Sequence, residues 1–159
     1  MKIFKLFIFF LLFFLICSIS IYPSEKTYQL NKIGKVIVTD TLKFSLNSAR
    51  WDNGDEYIKP DPGKKWLVLD CTIQNISKEP ILISSMMMFA LFDDEGYAQS
   101  IDIFAHKKGT LGGNIVPSQI IRGEVSYEVD ESCLYWEFTF TSELHGERYF
   151  YSIKKEQVK

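Results

Sequence analysis

The sequence predicts an antiparallel β-sandwich on three observations. Beyond Tyr28, short runs of β-branched and aromatic residues alternate apolar with polar; clusters of Gly, Pro, Asn and Asp separate these runs; and no stretch shows a helical period of convincing length. About seven or eight strands at roughly ten-residue spacing, with no helices between them, fit two packed sheets rather than βαβ units. The chain has 159 residues, 47% of them hydrophobic, so it has the length of one domain and enough apolar surface for a core.

Residues 1–20 stand apart. Lys2 and Lys5 precede an unbroken apolar run from Leu6 to Cys17, and Ser18, Ser20 and Ser24 follow, which is the order of an export signal. The run is shorter than the roughly 20 residues that span a bilayer. Cleavage after Ser20 is the preferred reading. An uncleaved anchor extending through Ile19, Ile21 and Tyr22 is a second. Lipidation at Cys17 is a third, disfavoured by the bulky Ile16 before it. The expected organisation is therefore a signal or anchor over 1–20, a tether over 21–33 and a sandwich over 34–159.

The strands follow in order. "KVIVTDTLKFSLNSARW" supplies one or two, with Leu42, Phe44 and Leu46 on one face and Lys43, Ser45 and Asn47 on the other. "DNGDEYIKPDPG" is a surface loop, because Pro60 and Pro62 cannot donate to a ladder. Lys65–Gln74 places Leu67, Leu69, Cys71 and Ile73 on one face, and Trp66, Val68, Asp70, Thr72 and Gln74 on a wetter one. "NISKEP" turns the chain; Asn75-Ile76-Ser77 also fits a glycosylation acceptor. "ILISSMMMFALFDDEGYAQ" is expected to be one strand ending in a hairpin with its tip at Asp93 to Gly96. Ser100 to Gly113 is looser. "IIRGEVSYEV" puts Ile121, Gly123, Val125, Tyr127 and Val129 on one side, "LYWEFTF" aligns Leu134, Trp136, Phe138 and Phe140, and "RYFYSI" closes the set.

These turns and strands carry a family resemblance. "KPDPGKKWLVLDCTIQNISKEPILI", "FALFDDEGYAQS" and "LGGNIVPSQIIRGEVSYEV" together resemble the bacterial extracellular DUF4352 family. That family shows a Pro-Gly before an apolar strand ending in Asn and a small residue, a Leu-x-Asp-x-x-Gly hairpin, then a second Pro-Gly and a Gly-x-Val-x-Phe strand. Ser118 replaces the second glycine and Tyr127 the usual Phe. The resemblance spans about residues 34 to 140. It implies an immunoglobulin-like sandwich, secreted or tethered to the cell envelope, and brings no catalytic residues.

Charge and motif content narrow the function classes. The net charge is −2, and it falls to −4 once Lys2 and Lys5 leave with residues 1–20. A mildly acidic, well-mixed chain lacks the basic face that nucleic acid requires. No Gly-x-Ser-x-Gly elbow or His-Glu-x-x-His pair is present, and His106 and His145 lie in turn-like settings, so no enzyme and no cofactor are implied. "WDNGDEY" and "DDEG" are acid-rich, yet neither has the spacing of a calcium loop, and both suit tight turns. Met86 and Met88, sharing a face in a strand, could hold Cu(I) with a histidine, which makes a copper-handling export protein the alternative reading; flexible thioethers also pack cores.

Two cysteines remain after export, Cys71 and Cys133. Cys71 points with Leu69 and Ile73, as a small hydrophobe of low reactivity would. A Cys71–Cys133 disulfide is permitted in an oxidising compartment, although Cys133 has the opposite parity to Trp136 and is expected to lean away from the core. Trp51, Tyr57 and Trp66 cluster around the 52–63 loop and form the candidate recognition surface, at the loop end of the sandwich. The expected partner is an envelope or extracellular protein or glycan, with the membrane engaged only through the N-terminal segment.

Overall fold

A computed structural model describes residues 28–142 and 146–159. The signal, the anchor alternative, Cys17 and His145 fall outside the described residues. Twelve strands are present among the described residues: β1 Leu30–Lys32, β2 Val36–Val38, β3 Leu42–Asp52, β4 Lys64–Asn75, β5 Ile81–Ser84, β6 Phe89–Phe92, β7 Ala98–Gln99, β8 Ile101–Asp102, β9 Gly112–Ile115, β10 Ile120–Asp130, β11 Tyr135–Thr141 and β12 Arg148–Lys154. They form two five-stranded sheets, in the orders β1-β12-β11-β6-β7 and β2-β3-β4-β10-β8, and a two-stranded sheet of β5 and β9. Every pair is antiparallel except β1 with β12.

Apolar faces of the two large sheets build one core. Leu67, Leu69, Cys71 and Ile73 of β4 are fully buried, with Leu42, Phe44 and Leu46 of β3 beside them, and they share a cluster with Trp136, Phe138, Phe140 and Tyr151 from the other sheet. Phe44 lies stacked on Phe140, ring centroids 4.1 Å apart, so an aromatic from each sheet meets at the middle. The alternation expected for β4 holds on this side.

Two local features redirect the chain. The β3–β4 register shifts between Leu46 and Ser48, making Asn47 the extra residue of a bulge. Inward positions then move from Leu42, Phe44 and Leu46 to Ala49 and Trp51, and Trp51 packs edge-on against Trp136 with centroids 5.7 Å apart. The second is a single helical turn, α1, at Ser85–Met88. It splits the expected long strand, because β5 pairs with β9 whereas β6 pairs with β11. The hairpin after β6 is found where predicted, with the Asp93 carboxylate accepting the N–H groups of Glu95 and Tyr97.

Within the stretch expected as a tether, residues 28–32 pack on the sandwich. Leu30 to Lys32 already pair with β12, Tyr28 stacks on Phe150 at 4.2 Å, and its hydroxyl donates to Glu137 at 3.0 Å. Tyr28 enters beside the start of β12, and the Thr39–Thr41 turn shares a cavity with Glu147 and Tyr149, so β3 begins at that same end. β3 has 11 residues and carries the chain about 35 Å to Asp52 at the opposite end.

Candidate functional site

The stretch expected to be loose forms a strap. From β8, which pairs with the edge of β10, residues 103–106 run over the outer face of the second sheet and cover Trp66 and Val68. Trp66, Val68 and Ala105 form a second small apolar cluster, none more than 5% exposed. Residues 107–109 return along Arg122 and Glu124, and Leu111 then enters the main core. The chain rounds β10 at Gly123, where an added Cβ would lie 2.8 Å from the Thr110 carbonyl carbon.

Beside the strap stands the 52–63 loop, held by its own acids. Asp52 Oδ1 accepts the Gly54 N–H at 2.9 Å, and Asp55 Oδ1 accepts those of Tyr57 and Ile58 at 2.8 and 2.9 Å. Glu128 of β10 accepts the Asp61 N–H at 2.9 Å and pairs with Lys64 at 3.1 Å. Pro62-Gly63 closes the loop in a turn with Gly63 at φ +82°, and Lys64 N–H returns to the Asp61 carbonyl at 2.9 Å. These acids serve as backbone acceptors, which is the turn chemistry read from "WDNGDEY".

His106 ties the strap to the loop. Its Nδ1 lies 3.2 Å from Asp52 Oδ2, its Nε2 3.5 Å from Asp55 Oδ2, and its backbone N–H donates to Asp52 at 2.6 Å. Arg50 donates to the His106 carbonyl at 2.5 Å and to Glu124 at 2.8 Å, and the Lys108 N–H donates to Glu124 at 2.7 Å. Partial burial opposes ionisation of Asp52, but the N–H groups of Gly54 and His106 hold its carboxyl below the usual range. Asp55 is held low by the N–H groups of Ile58 and Tyr57. Glu124 is held low by Arg50 and the Lys108 N–H against its burial.

This loop end presents large apolar side chains to solvent. Tyr57 is 85% exposed and Ile103 74%, with Ile58 and Phe104 also out. Of the predicted surface, Tyr57 alone stands free. Trp66 is a correction: at 2% exposure it lies beneath the strap. Trp51 is half-buried against Trp136, turned inward by the bulge, with Lys65 Nζ 5.8 Å from its ring centroid. Ile103 and Phe104 take the place of the two tryptophans. Their own alternation offers no sign of this, since an apolar pair in a loose stretch looks the same buried or exposed.

The sulfur residues also move. Cys71 and Cys133 are separate free thiols. Cys71 faces Gly123 on β10, seven residues from the Lys64–Asp130 pair beyond which Cys133 lies, or roughly 23 Å of strand. A disulfide requires Cα atoms within about 7 Å, so the pairing that an oxidising compartment would permit is excluded by this separation. Burial raises the Cys71 thiol well above its ordinary value. Cys133 is buried rather than turned outward, and burial, with Asp94 adding to it, pushes its thiol up to about 11. Met86 and Met88 do not share a face, because they lie two apart in a helical turn; Met86 is 81% exposed and Met88 buried at 7%. Among the described residues His106 is engaged by two aspartates, and the two thioethers do not form the shared-face pair on which the copper reading rests. Asn75 is fully buried with its Nδ2 donating to the Glu79 and Ile115 carbonyls at 2.8 and 3.0 Å, a structural role that leaves nothing to glycosylate.

Comparison with known proteins gives a consistent picture. The sequence model of the family described as "Domain of unknown function (DUF4352)" matches residues 31–148. No curated protein matches the chain. Among solved structures, ycdA from Bacillus subtilis, a candidate lipoprotein, is similar at TM-score 0.61 and 18% identity over 76% of this chain; the match spans only 38% of that protein's length. The yjhA protein from Bacillus subtilis is similar at 0.61 and 19% identity, covering 79% of this chain and 100% of that one. MPT63, a secreted protein from Mycobacterium tuberculosis, is similar at 0.52 and 10% identity, covering 81% and 98%. At such identities the likeness is one of fold.

Proposed function

The chain belongs to the DUF4352 family, and from that premise we propose that it is a non-catalytic, exported, immunoglobulin-like module that binds an envelope protein or surface glycan through its loop end. Export is supported by the charged, apolar, small-residue order of residues 1–20 and by the candidate lipoprotein and secreted protein among its structural relatives. The observation that carries the binding reading is Tyr57. A loop fixed by several side-chain-to-backbone hydrogen bonds nevertheless leaves a large aromatic 85% exposed, and His106 sets the exposed Ile103 and Phe104 loop beside it. Rigid, solvent-facing aromatics are the usual anchors of a binding surface, because little conformational entropy is lost when they dock. The site stands about 35 Å from the point where Tyr28 enters, so a chain held at its N-terminal segment would present it outward.

The test is cross-linking and recovery from envelope fractions, with wild type compared against Tyr57→Ser and Phe104→Ser. Both variants are expected to lose the specific partner while keeping their melting temperature, since substitution at such exposed positions changes stability by about 0.5 kcal/mol or less. Recovery of the same partner by both variants would remove the loop-end reading.

A further inference from the structure

The chain enters the sandwich on a side that carries an apolar groove of its own. β1 and β2 are the outermost strands of the two large sheets, and the turn at Gly34 joins them, its N–H donating to the Leu46 carbonyl at 2.7 Å. Both open edges therefore lie on one side of the molecule. Between them runs a groove with the stacked rings of Tyr28 and Phe150 on one wall and Val36 and Val38 on the other. Tyr28 and Val36 are each 50% exposed and Val38 60%, and apolar side chains on an open edge call for a cover. Lys35 and Arg148 line the same groove, both exposed, and no described acid lies within ion-pair distance of either. The described acids nearby are engaged or set apart: Glu137 accepts the Tyr28 hydroxyl, Glu147 accepts that of Tyr149, and Asp40 lines the adjoining cavity.

We propose that this groove is a membrane-contact surface that seats the sandwich on anionic lipid. The occupant follows from chain length and from chemistry. Apolar residues extend to Tyr22, and six residues later Tyr28 forms a wall of the groove. A chain whose residues 1–22 lie in a bilayer therefore holds that wall within about 20 Å of the lipid. Tyrosine sits well at the boundary between hydrocarbon and water, valine tips enter it, and lysine and arginine attract anionic headgroups. The far end has the opposite character. The 52–63 loop carries Asp52, Asp55, Glu56 and Asp61 against Lys59 alone, so the same lipid attracts one end of the sandwich and repels the other. The membrane contact then includes folded residues as well as the N-terminal segment.

The experiment is amide NMR of the full chain, one copy per lipid nanodisc, with a nitroxide on a small fraction of the headgroups. Discs of phosphatidylcholine are compared with discs that also contain phosphatidylglycerol. With phosphatidylglycerol at low salt, the Val36 and Val38 amides are expected to broaden while those of Tyr57 and Ile58 stay sharp. A basic residue near an anionic surface raises its population there about fivefold. Lys35→Glu and Arg148→Glu are therefore each expected to lower the broadening at Val36 and Val38 by about fivefold or more, with the dispersion of the spectrum kept. Absent broadening at Val36 and Val38, or broadening equal to that at Tyr57, would overturn the proposal. So would broadening that is the same in both lipids and in both variants, because a tether alone produces that. No envelope partner is in the sample, so the loop-end reading is not at stake.

Discussion

The outer face of the sheet β2-β3-β4-β10-β8 has two halves built from the same strands. Trp66 and Val68 of β4 are sealed under Ala105, while Asp70, Thr72 and Gln74 of that strand, on the same face, stay partly open. The open half is a polar lattice: Asn47 donates to Thr72 at 2.9 Å, and Arg122 makes two hydrogen bonds to Asp70, at 3.0 and 2.5 Å. A shallow groove lined by Ser48, Arg50, Asp70, Lys108, Arg122 and Glu124 marks the border. The strap thus makes half of one face into a second packed layer, and stability should concentrate there rather than in the visible ion pairs.

The largest break in this contrast is Trp66→Ala, expected to remove about 3–5 kcal/mol in urea denaturation by emptying the space under the strap. A loss below about 1 kcal/mol would mean that the strap is not a packed layer. Gly123→Ala comes next. A methyl group there meets the Thr110 backbone, which cannot swing aside as a side chain would, so a loss of about 1–3 kcal/mol is expected by the same measurement. The smallest effect belongs to the open half, at Asp70→Asn. Arg122, helped by Asn47, holds the Asp70 carboxyl below its usual range against burial, so this pair contributes stability above the ordinary Asp pKa of about 3.9 and loses it as pH falls through the lower folded value. Arg122 is 68% exposed, so the contribution at pH 7 is small. The melting-temperature gap between wild type and Asp70→Asn should close in acid; a gap that persists unchanged there would assign it to something other than the charge pair.

Much of the fold was legible because alternation is a local property. The inward set Leu67, Leu69, Cys71 and Ile73 follows from a period of two and needs no knowledge of the partner strand. Turn chemistry is equally local. Gly63 follows Pro62 at φ +82°, and Ser118 follows Pro117 at φ +66°, each with the N–H of the next residue returning to a carbonyl three residues back. The left-handed backbone at the second turn explains why a glycine is usual there; serine holds it against a strain of about 1–2 kcal/mol. By contrast, Met86 to Met88 have apolar side chains that fit a strand as well as a helix, and the helical turn there is marked only by Ser84 at its N-cap, a residue that alternating strands also carry.

The sequence by itself determined the long strands β3, β4, β10 and β11, the inward apolar set of β4, the hairpin after β6 and the family, all of which depend on residues within a few positions of one another. Tertiary structure alone decided that Trp66 is covered, that a bulge at Asn47 sends Trp51 inward, that Cys71 and Cys133 lie too far apart to bond, and that His106 stands between Asp52 and Asp55. Parity states which side of a sheet a residue occupies. What covers that side depends on where a segment some forty residues away in the chain crosses the sheet, and no local pattern encodes that crossing.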